Sequence, residues 1–295
     1  MDLNKLTTEK RNERSMNLDT LSTEQVIRLM NEEDAVVPKA IEQIVPTIAK
    51  AVDAIIARFK KNGRLIYIGA GTSGRLGVLD AVECVPTFGV PPEKVVGVIA
   101  GGDRAMYRAV EGAEDSPTLG QQDLTALSLT KEDVVVGIAA SGRTPYVIGA
   151  LTYANEVGAE TIALSCNQDA EISAFANIAI EVIVGAEVLT GSTRLKAGTA
   201  QKLVLNMLST ASMIGIGKVY NNLMVDVQPT NEKLRVRAVR IIQQATECTE
   251  EQAQEAFEQS GEQVKIAIVM ILFDQTKEQA EETLVQNQGF IRKTT

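Results

Sequence analysis

Apolar positions in this chain recur at two spacings, and the change from one to the other marks out its elements. From Pro38 to Lys61 the residues Ile41, Ile44, Val45, Ile48, Val52, Ile55, Ile56 and Phe59 step by three and four. That spacing predicts one long amphipathic helix, stopped at Gly63, that covers a core or forms a dimer surface. Short apolar runs follow at Arg64–Ile68, Lys94–Ala100, Asp133–Ile138, Thr161–Ser165 and Ile178–Val184. Uninterrupted runs of this length between turn residues read as strands buried on both faces. Helical spacing returns between them: Leu76, Val78, Leu79 and Val82 after the first strand, Tyr146–Glu156 between Pro145 and Gly158, and Thr199–Lys218 after the fifth strand. The alternation predicts an α/β fold with a doubly wound five-stranded parallel sheet.

The flanks read differently. Residues 1–20 are charged and without periodicity, an arm or partner-dependent segment, and Ser22 with Gln25 has the capping-box spacing that starts a short helix. Beyond Pro229 the chain becomes rich in Gln and Glu, with two further capping boxes at Thr249–Gln252 and Thr276–Gln279 and a break at Ser260-Gly261. A bundle of three or four helices is expected there. The predicted organisation is an arm with helices over 1–62, a sheet domain over 63–229 and a C-terminal helical domain over 230–295.

Composition narrows the chemistry. None of the 295 residues is histidine, which removes the usual general base, the Ser-His pair and the commonest metal ligand at once. Acid–base work falls to carboxylates, Lys, Tyr or Cys, and a metal site is not expected. The net charge of −9 argues against nucleic-acid or anionic-membrane partners. Cys84, Cys166 and Cys248 show no short spacing and read as reduced thiols; with a polar N-terminus and no long apolar run, a cytoplasmic protein is expected.

Two turns carry the candidate chemistry. The first strand runs into Gly69-Ala70-Gly71-Thr72-Ser73-Gly74-Arg75 and the third into Ala140-Ser141-Gly142-Arg143-Thr144-Pro145, so both end in Ser-Gly-Arg. A strand feeding a glycine turn and a helix start builds an anion site from free N–H groups and the helix dipole. Gly69-x-Gly71-x-x-Gly74 also matches the dinucleotide fingerprint, but Asp103 lies too far on to serve as the ribose acid, and no Walker lysine follows. The hydroxyls suit a compact monophosphate. A third polar turn, Thr190-Gly191-Ser192-Thr193, precedes Lys196. Glu83, flanked by Val82 and Cys84, is either a solvated surface carboxylate or a desolvated one fit for proton transfer. Glu114, among Glu111 and Asp115, is a solvated run or the second member of a carboxylate pair.

Taken together, Ala70–Leu76, Leu79–Cys84, Glu111–Ser116, Ala140–Pro145 and Thr190–Thr199, with Leu6–Glu9 and Asn231–Leu234, resemble the N-acetylmuramic acid 6-phosphate etherases. These are sugar-isomerase-type (SIS) domain proteins related to the glucokinase regulatory protein. The resemblance implies a cofactor-free carbon–oxygen lyase that converts N-acetylmuramic acid 6-phosphate to N-acetylglucosamine 6-phosphate and D-lactate. It implies Glu83 as the acid/base residue at the departing lactate oxygen and the incoming water, and Glu114 as the base at C2. Thr72, Ser73, Gly74, Ser141, Gly142 and Thr144 fall where related domains hold sugar phosphate, and Ser192 with Lys196 completes the site. A homodimer is expected because SIS domains generally pair. The competing readings are a phosphosugar isomerase, disfavoured by the missing histidine, and a non-catalytic phosphosugar-sensing regulator, disfavoured by the two glutamates.

Overall fold

Five short apolar runs become five parallel strands, and the helices between them cover both faces of the sheet. The computed structural model describes residues 6–229 and 231–292. Contacts divide the chain into two units: the chain up to Val82 with Glu93–Ser209, and Glu83–Pro92 with the chain from Thr210 onward.

In the first unit three helices precede the sheet, α1 (Thr23–Asp34), α2 (Val36–Glu42) and α3 (Val45–Phe59). α1 opens on the predicted capping box, with Ser22 N donating to Gln25 Oε1 at 2.9 Å and Gln25 N donating to Ser22 Oγ at 3.4 Å. The single helix expected from Pro38 to Lys61 is instead two, broken at Gln43 and Ile44. Pro46 is the cause: it has no N–H for the Glu42 carbonyl four residues back, and its ring crowds that carbonyl. A new helix therefore starts with Pro46 in its first turn.

The sheet and its helices follow as β1 (Leu65–Gly69), α4 (Gly71–Phe88), β2 (Val95–Ile99), α5 (Arg104–Tyr107), α6 (Pro117–Ala126), β3 (Val134–Ile138), α7 (Pro145–Val157), β4 (Glu160–Ser165), β5 (Ile178–Glu181) and α8 (Lys196–Ile214). The strand order is β2-β1-β3-β4-β5, all parallel. From β1 the chain first winds outward to β2 and then crosses back to β3 on the other side, so the winding reverses between β1 and β3. Side chains alternate between the faces. Ile66, Ile68 and Val135 join the core beneath α6 and α7, with Leu124, Tyr146, Val147 and Leu151. On the other face Tyr67 donates to Asp80 of α4 at 3.0 Å, and Lys202 of α8 pairs with the same carboxylate at 3.4 Å.

β5 stops at Glu181 and not at Val184, because its partner β4 ends at Ser165, the residue paired with Glu181. α8 starts at Lys196, three residues before the expected Thr199, and ends at Ile214, ahead of Lys218. The second unit holds a short antiparallel pair, β6 (Val219–Tyr220) with β7 (Leu223–Met224), which the hydrophobic pattern did not reveal. Four helices follow, α9 (Glu232–Thr246), α10 (Glu250–Gln259), α11 (Val264–Phe273) and α12 (Lys277–Gln286). Both predicted capping boxes are formed, at Thr249 with Gln252 and at Thr276 with Gln279. These helices close on a core that includes Ile242, Phe257, Ile268 and Ala280.

Candidate active site

Gly69 and Ile138 are opposite each other in the β1–β3 register, so the two Ser-Gly-Arg turns leave adjacent strands at the same level. This is the switch point at which open α/β sheets bind ligands. In the first turn the helix begins at Gly71, which puts Thr72 and Ser73 in the first turn of α4, where backbone N–H groups lack helical partners. Ser73 is 7% exposed and Thr72 half-buried. Gly74 lets the helix start touch the strand end: a Cβ there would lie 2.6 Å from Gly69 O and 2.7 Å from Ile99 Cγ1. In the second turn Gly142 adopts φ +73°, a left-handed conformation, with no room for a side chain because Ala170 Cβ would be 2.4 Å away. Ser141 Oγ accepts from Arg143 N at 3.3 Å. Thr144 caps α7 through its carbonyl, which accepts from Val147 N at 3.0 Å and Ile148 N at 3.1 Å, and not through its hydroxyl.

The third turn is built differently. Lys196, expected with Ser192 to complete the phosphate site, is 2% exposed, and its ammonium is paired with Glu33 of α1 at 2.8 Å. The start of α8 is likewise occupied: the buried Glu187 carboxylate accepts from Lys196 N and Ala197 N, each at 3.0 Å. A carboxylate already fills the position a phosphoryl group would take at this helix end, and the lysine is spent internally. Ser192 stays half-buried in the turn above.

Residues 6–20 are not a loose arm. They form three short turns held to the first unit, at Thr7–Glu9, Glu13–Ser15 and Leu18–Thr20. Asn167, after β4, donates to Thr8 Oγ1 at 3.0 Å and to Ala140 O at 3.1 Å, which ties this segment to the second Ser-Gly-Arg turn. Asn12 donates to Glu33 at 2.8 Å and to Ala186 O at 3.2 Å, and Arg14 pairs with Glu33 at 2.8 Å. Burial alone pushes the Glu33 carboxyl up, but hydrogen bonds from Lys196 and Asn12 and the charges of Lys196 and Arg14 outweigh it and hold it below the ordinary value. For Glu187 burial wins over the two backbone N–H groups, and its carboxyl is raised. Burial, with the Glu187 charge, pushes the Cys166 thiol up to about 12, which makes it inert.

The two glutamates are solvent-exposed in the single chain. Glu114 sits in a short turn, Ala113–Asp115, of the first unit. Glu83 lies ten residues beyond Ser73 on α4, in the part of that helix assigned to the second unit. On α4, Leu79 and Val82 precede Glu83 at helical spacing and are 44% and 60% exposed. A cavity of about 380 Å³ in the second unit is lined by Asp226, Glu262 and Lys265 among others, and both carboxylates are spent on ion pairs, Asp226 with Lys265 at 2.6 Å and Glu262 with Arg235. Among the described residues no group of three His, Cys, Asp or Glu is placed to hold a metal ion, and no helix is long and apolar enough to cross a membrane.

Sequence reasoning missed Gln201, whose Oε1 accepts from Ser73 Oγ at 3.0 Å. The signal was present: Gln201 interrupts the stripe Ala197, Ala200, Val204, Leu205 and Leu208, all buried, and a polar residue on such a stripe needs a partner. Glu33, Asn12 and Glu187 left no comparable mark.

Known proteins share the sequence and the fold. Residues 47–155 match the glucokinase regulatory protein N-terminal SIS domain, residues 114–211 the SIS domain, and residues 221–265 the C-terminal lid domain of glucokinase regulatory protein. A phosphoheptose isomerase from Francisella tularensis shares the fold, with a TM-score of 0.53 and 18% identity over 66% of this chain and 100% of its own. N-acetylmuramic acid 6-phosphate etherase 2 of Lactiplantibacillus plantarum is 64% identical over 99% of both chains. The N-acetylmuramic acid 6-phosphate etherase of Oenococcus oeni is 63% identical over 100% of this chain and 99% of its own. Likeness of that degree along the whole length, on a sheet whose switch point carries two hydroxyl-bearing turns, means that this chain belongs to the N-acetylmuramic acid 6-phosphate etherases, a family of enzymes.

Proposed function

We propose that this enzyme cleaves the D-lactyl ether at C3 of N-acetylmuramic acid 6-phosphate, giving N-acetylglucosamine 6-phosphate and D-lactate, as a carbon–oxygen lyase. The observation that carries the reading is the 64% identity, over 99% of both chains, to a relative bearing that substrate in its name. The two open turns at the β1–β3 switch point support it, because they offer hydroxyls and backbone N–H groups to a phosphoryl group. Thr72, Ser73, Gly74, Ser141, Gly142 and Thr144 are assigned to the phosphoryl oxygens. Ser192 is assigned to the rim of the same site, and Lys196 holds the third turn without touching substrate.

In the ring-opened sugar the C1 carbonyl acidifies the proton at C2. Glu114 removes that proton, the C3–O bond breaks, and its electron pair leaves with the lactate oxygen, which takes a proton from Glu83. Glu83, now a carboxylate, accepts a proton from water as the water oxygen bonds to C3, and C2 recovers its proton. The sum is one water consumed and one lactate released, with no change in oxidation state. A positioned proton donor or acceptor is worth about 10²–10⁴-fold in rate.

The exposed Glu83 carboxylate, next to the uncovered apolar residues Leu79 and Val82 on α4, supports a homodimer in which a second copy covers that face. A phosphorylated substrate is too polar to cross a bilayer unaided and stays in the compartment where it is phosphorylated, which supports a cytoplasmic enzyme. The test is to incubate purified protein with N-acetylmuramic acid 6-phosphate in ¹⁸O-water. D-lactate is expected to appear with the label at C3 of the amino sugar and none in lactate. No lactate, or label in lactate, overturns the reading.

A further inference from the structure

Gln201, on α8, is fully buried, and its two ends are in different situations. Oε1 accepts the Ser73 hydroxyl proton at 3.0 Å, while Nε2 is buried without a hydrogen-bond partner. Buried donors are almost always satisfied, so one left open beside a binding turn asks for an acceptor. The surroundings are those of the first Ser-Gly-Arg turn: one helical turn earlier on α8, a Cβ at Gly198 would lie 3.7 Å from Thr72 Cγ2. A phosphoryl group presents acceptors. The Ser73 hydroxyl has a single proton, and while that proton is given to Oε1 it is not available to the ligand.

We propose that Gln201 is a positioning residue for the phosphorylated substrate and acts through Ser73. In the free protein the serine proton points at Oε1. On binding it turns to a phosphoryl oxygen, and the amide rotates about its last bond so that Nε2 donates to Ser73 Oγ. Rotation about that terminal bond is broad and roughly two-fold, so the exchange needs no movement of α8. It gives the unpartnered N–H₂ an acceptor and leaves the carbonyl oxygen open in its place, the less demanding of the two vacancies. The inference rests on the phosphosugar reading of the site and adds to it a residue that need not touch substrate.

Gln201→Glu separates this role from a structural one, because the carboxylate still accepts from Ser73 but has no proton to give back. Binding of N-acetylglucosamine 6-phosphate and of inorganic phosphate is measured by titration calorimetry on the full chain, with KM, kcat and melting temperature on the same samples. For Gln201→Glu, product affinity is expected to fall at least tenfold and KM to rise in step, with kcat within about threefold of wild type, the pattern of lost uniform binding. Relative to wild type, affinity should recover as the pH falls toward protonation of the new carboxyl, which restores a donor. In a Ser73→Ala background the same change should cost no more than about twofold, since the two residues act as one unit. Gln201→Met, which removes acceptor and donor together, repeats the binding test where the glutamate variant does not fold.

Wild-type affinity in the folded variant, or losses that multiply in the double variant, overturns the inference while leaving the phosphosugar site intact. If wild-type protein binds neither phosphate nor product, the site reading itself fails and takes this inference with it.

Discussion

Glu33 and Lys196 lie 163 residues apart in the chain and 2.8 Å apart in the fold, both out of water. Removing one partner of such a pair strands the other charge and costs about 3–5 kcal/mol, whereas replacing both by apolar residues is often neutral. Glu33→Leu is therefore expected to lower unfolding stability by about that amount in urea, and Glu33→Leu with Lys196→Met to recover most of it. Additive losses in the double variant would mean that the pair is not coupled. Acid unfolding reads the same carboxylate. Glu33 and Asp133 are held below their ordinary values, the latter because hydrogen bonds from Arg64 and Thr130 outweigh burial. The native state binds those protons more weakly than the unfolded chain, so their contribution is present above the ordinary carboxylate range and lost as pH falls through their folded values. Glu187, raised by burial, works in the opposite sense: its contribution is lost as pH rises from the ordinary value through its raised one. Stability measured against pH should flatten on the acid side for Glu33→Gln and steepen for Glu187→Gln. At the reaction centre, Glu83→Gln should keep product binding while lactate release falls by about 10²–10⁴-fold; unchanged release removes Glu83 from the mechanism. Ser73 was legible because it sits in a local motif. Glu33 and Glu187 were not, because a partner brought in by folding leaves no trace in neighbouring residues.

The elements show the same divide between local and distant causes. Capping boxes at Ser22, Thr249 and Thr276 were readable because both partners lie within four residues, and all three are formed. The break before α3 was also local, in Pro46, but the apolar spacing runs straight through it and conceals it. The start of α8 was not readable, since its cap comes from Glu187, nine residues earlier and outside the helix. The β1–α4 turn joins both kinds of cause: its glycines are visible in the sequence, and the need for Gly74 comes from how closely the helix start meets Gly69 and Ile99. A methyl group at Gly74 meets backbone oxygen at 2.6 Å, so the helix start must move away from the strand. Gly74→Ala is expected to cost about 1–3 kcal/mol, as overpacking does, and to weaken product binding at least tenfold because the N–H groups of the turn shift with it. Equal binding by wild type and variant would place the phosphoryl group elsewhere.

For the whole molecule the open question is what covers α4. The sheet unit buries its strands on both faces, yet Leu79 and Val82 remain exposed on a helix that also carries Glu83. These two apolar side chains, three residues apart, stay in water at a cost of roughly 25 cal/mol for each Å² they could bury. A second copy of the chain is the partner we propose, because a two-fold interface would set the same α4 patch against itself and exclude water from Glu83. Light scattering on the purified protein should give twice the chain mass of 31.7 kDa. Val82→Lys places a charge at the centre of that patch and should give the single-chain mass, with lactate formation lost in parallel and the melting transition of the separated chain retained. Dilution offers an independent check, since specific activity should fall as the dimer dissociates. A wild-type protein that is monomeric and fully active would mean that Glu83 and Glu114 work without a second chain, and the enclosure they need would then have to come from closure of the chain on its substrate.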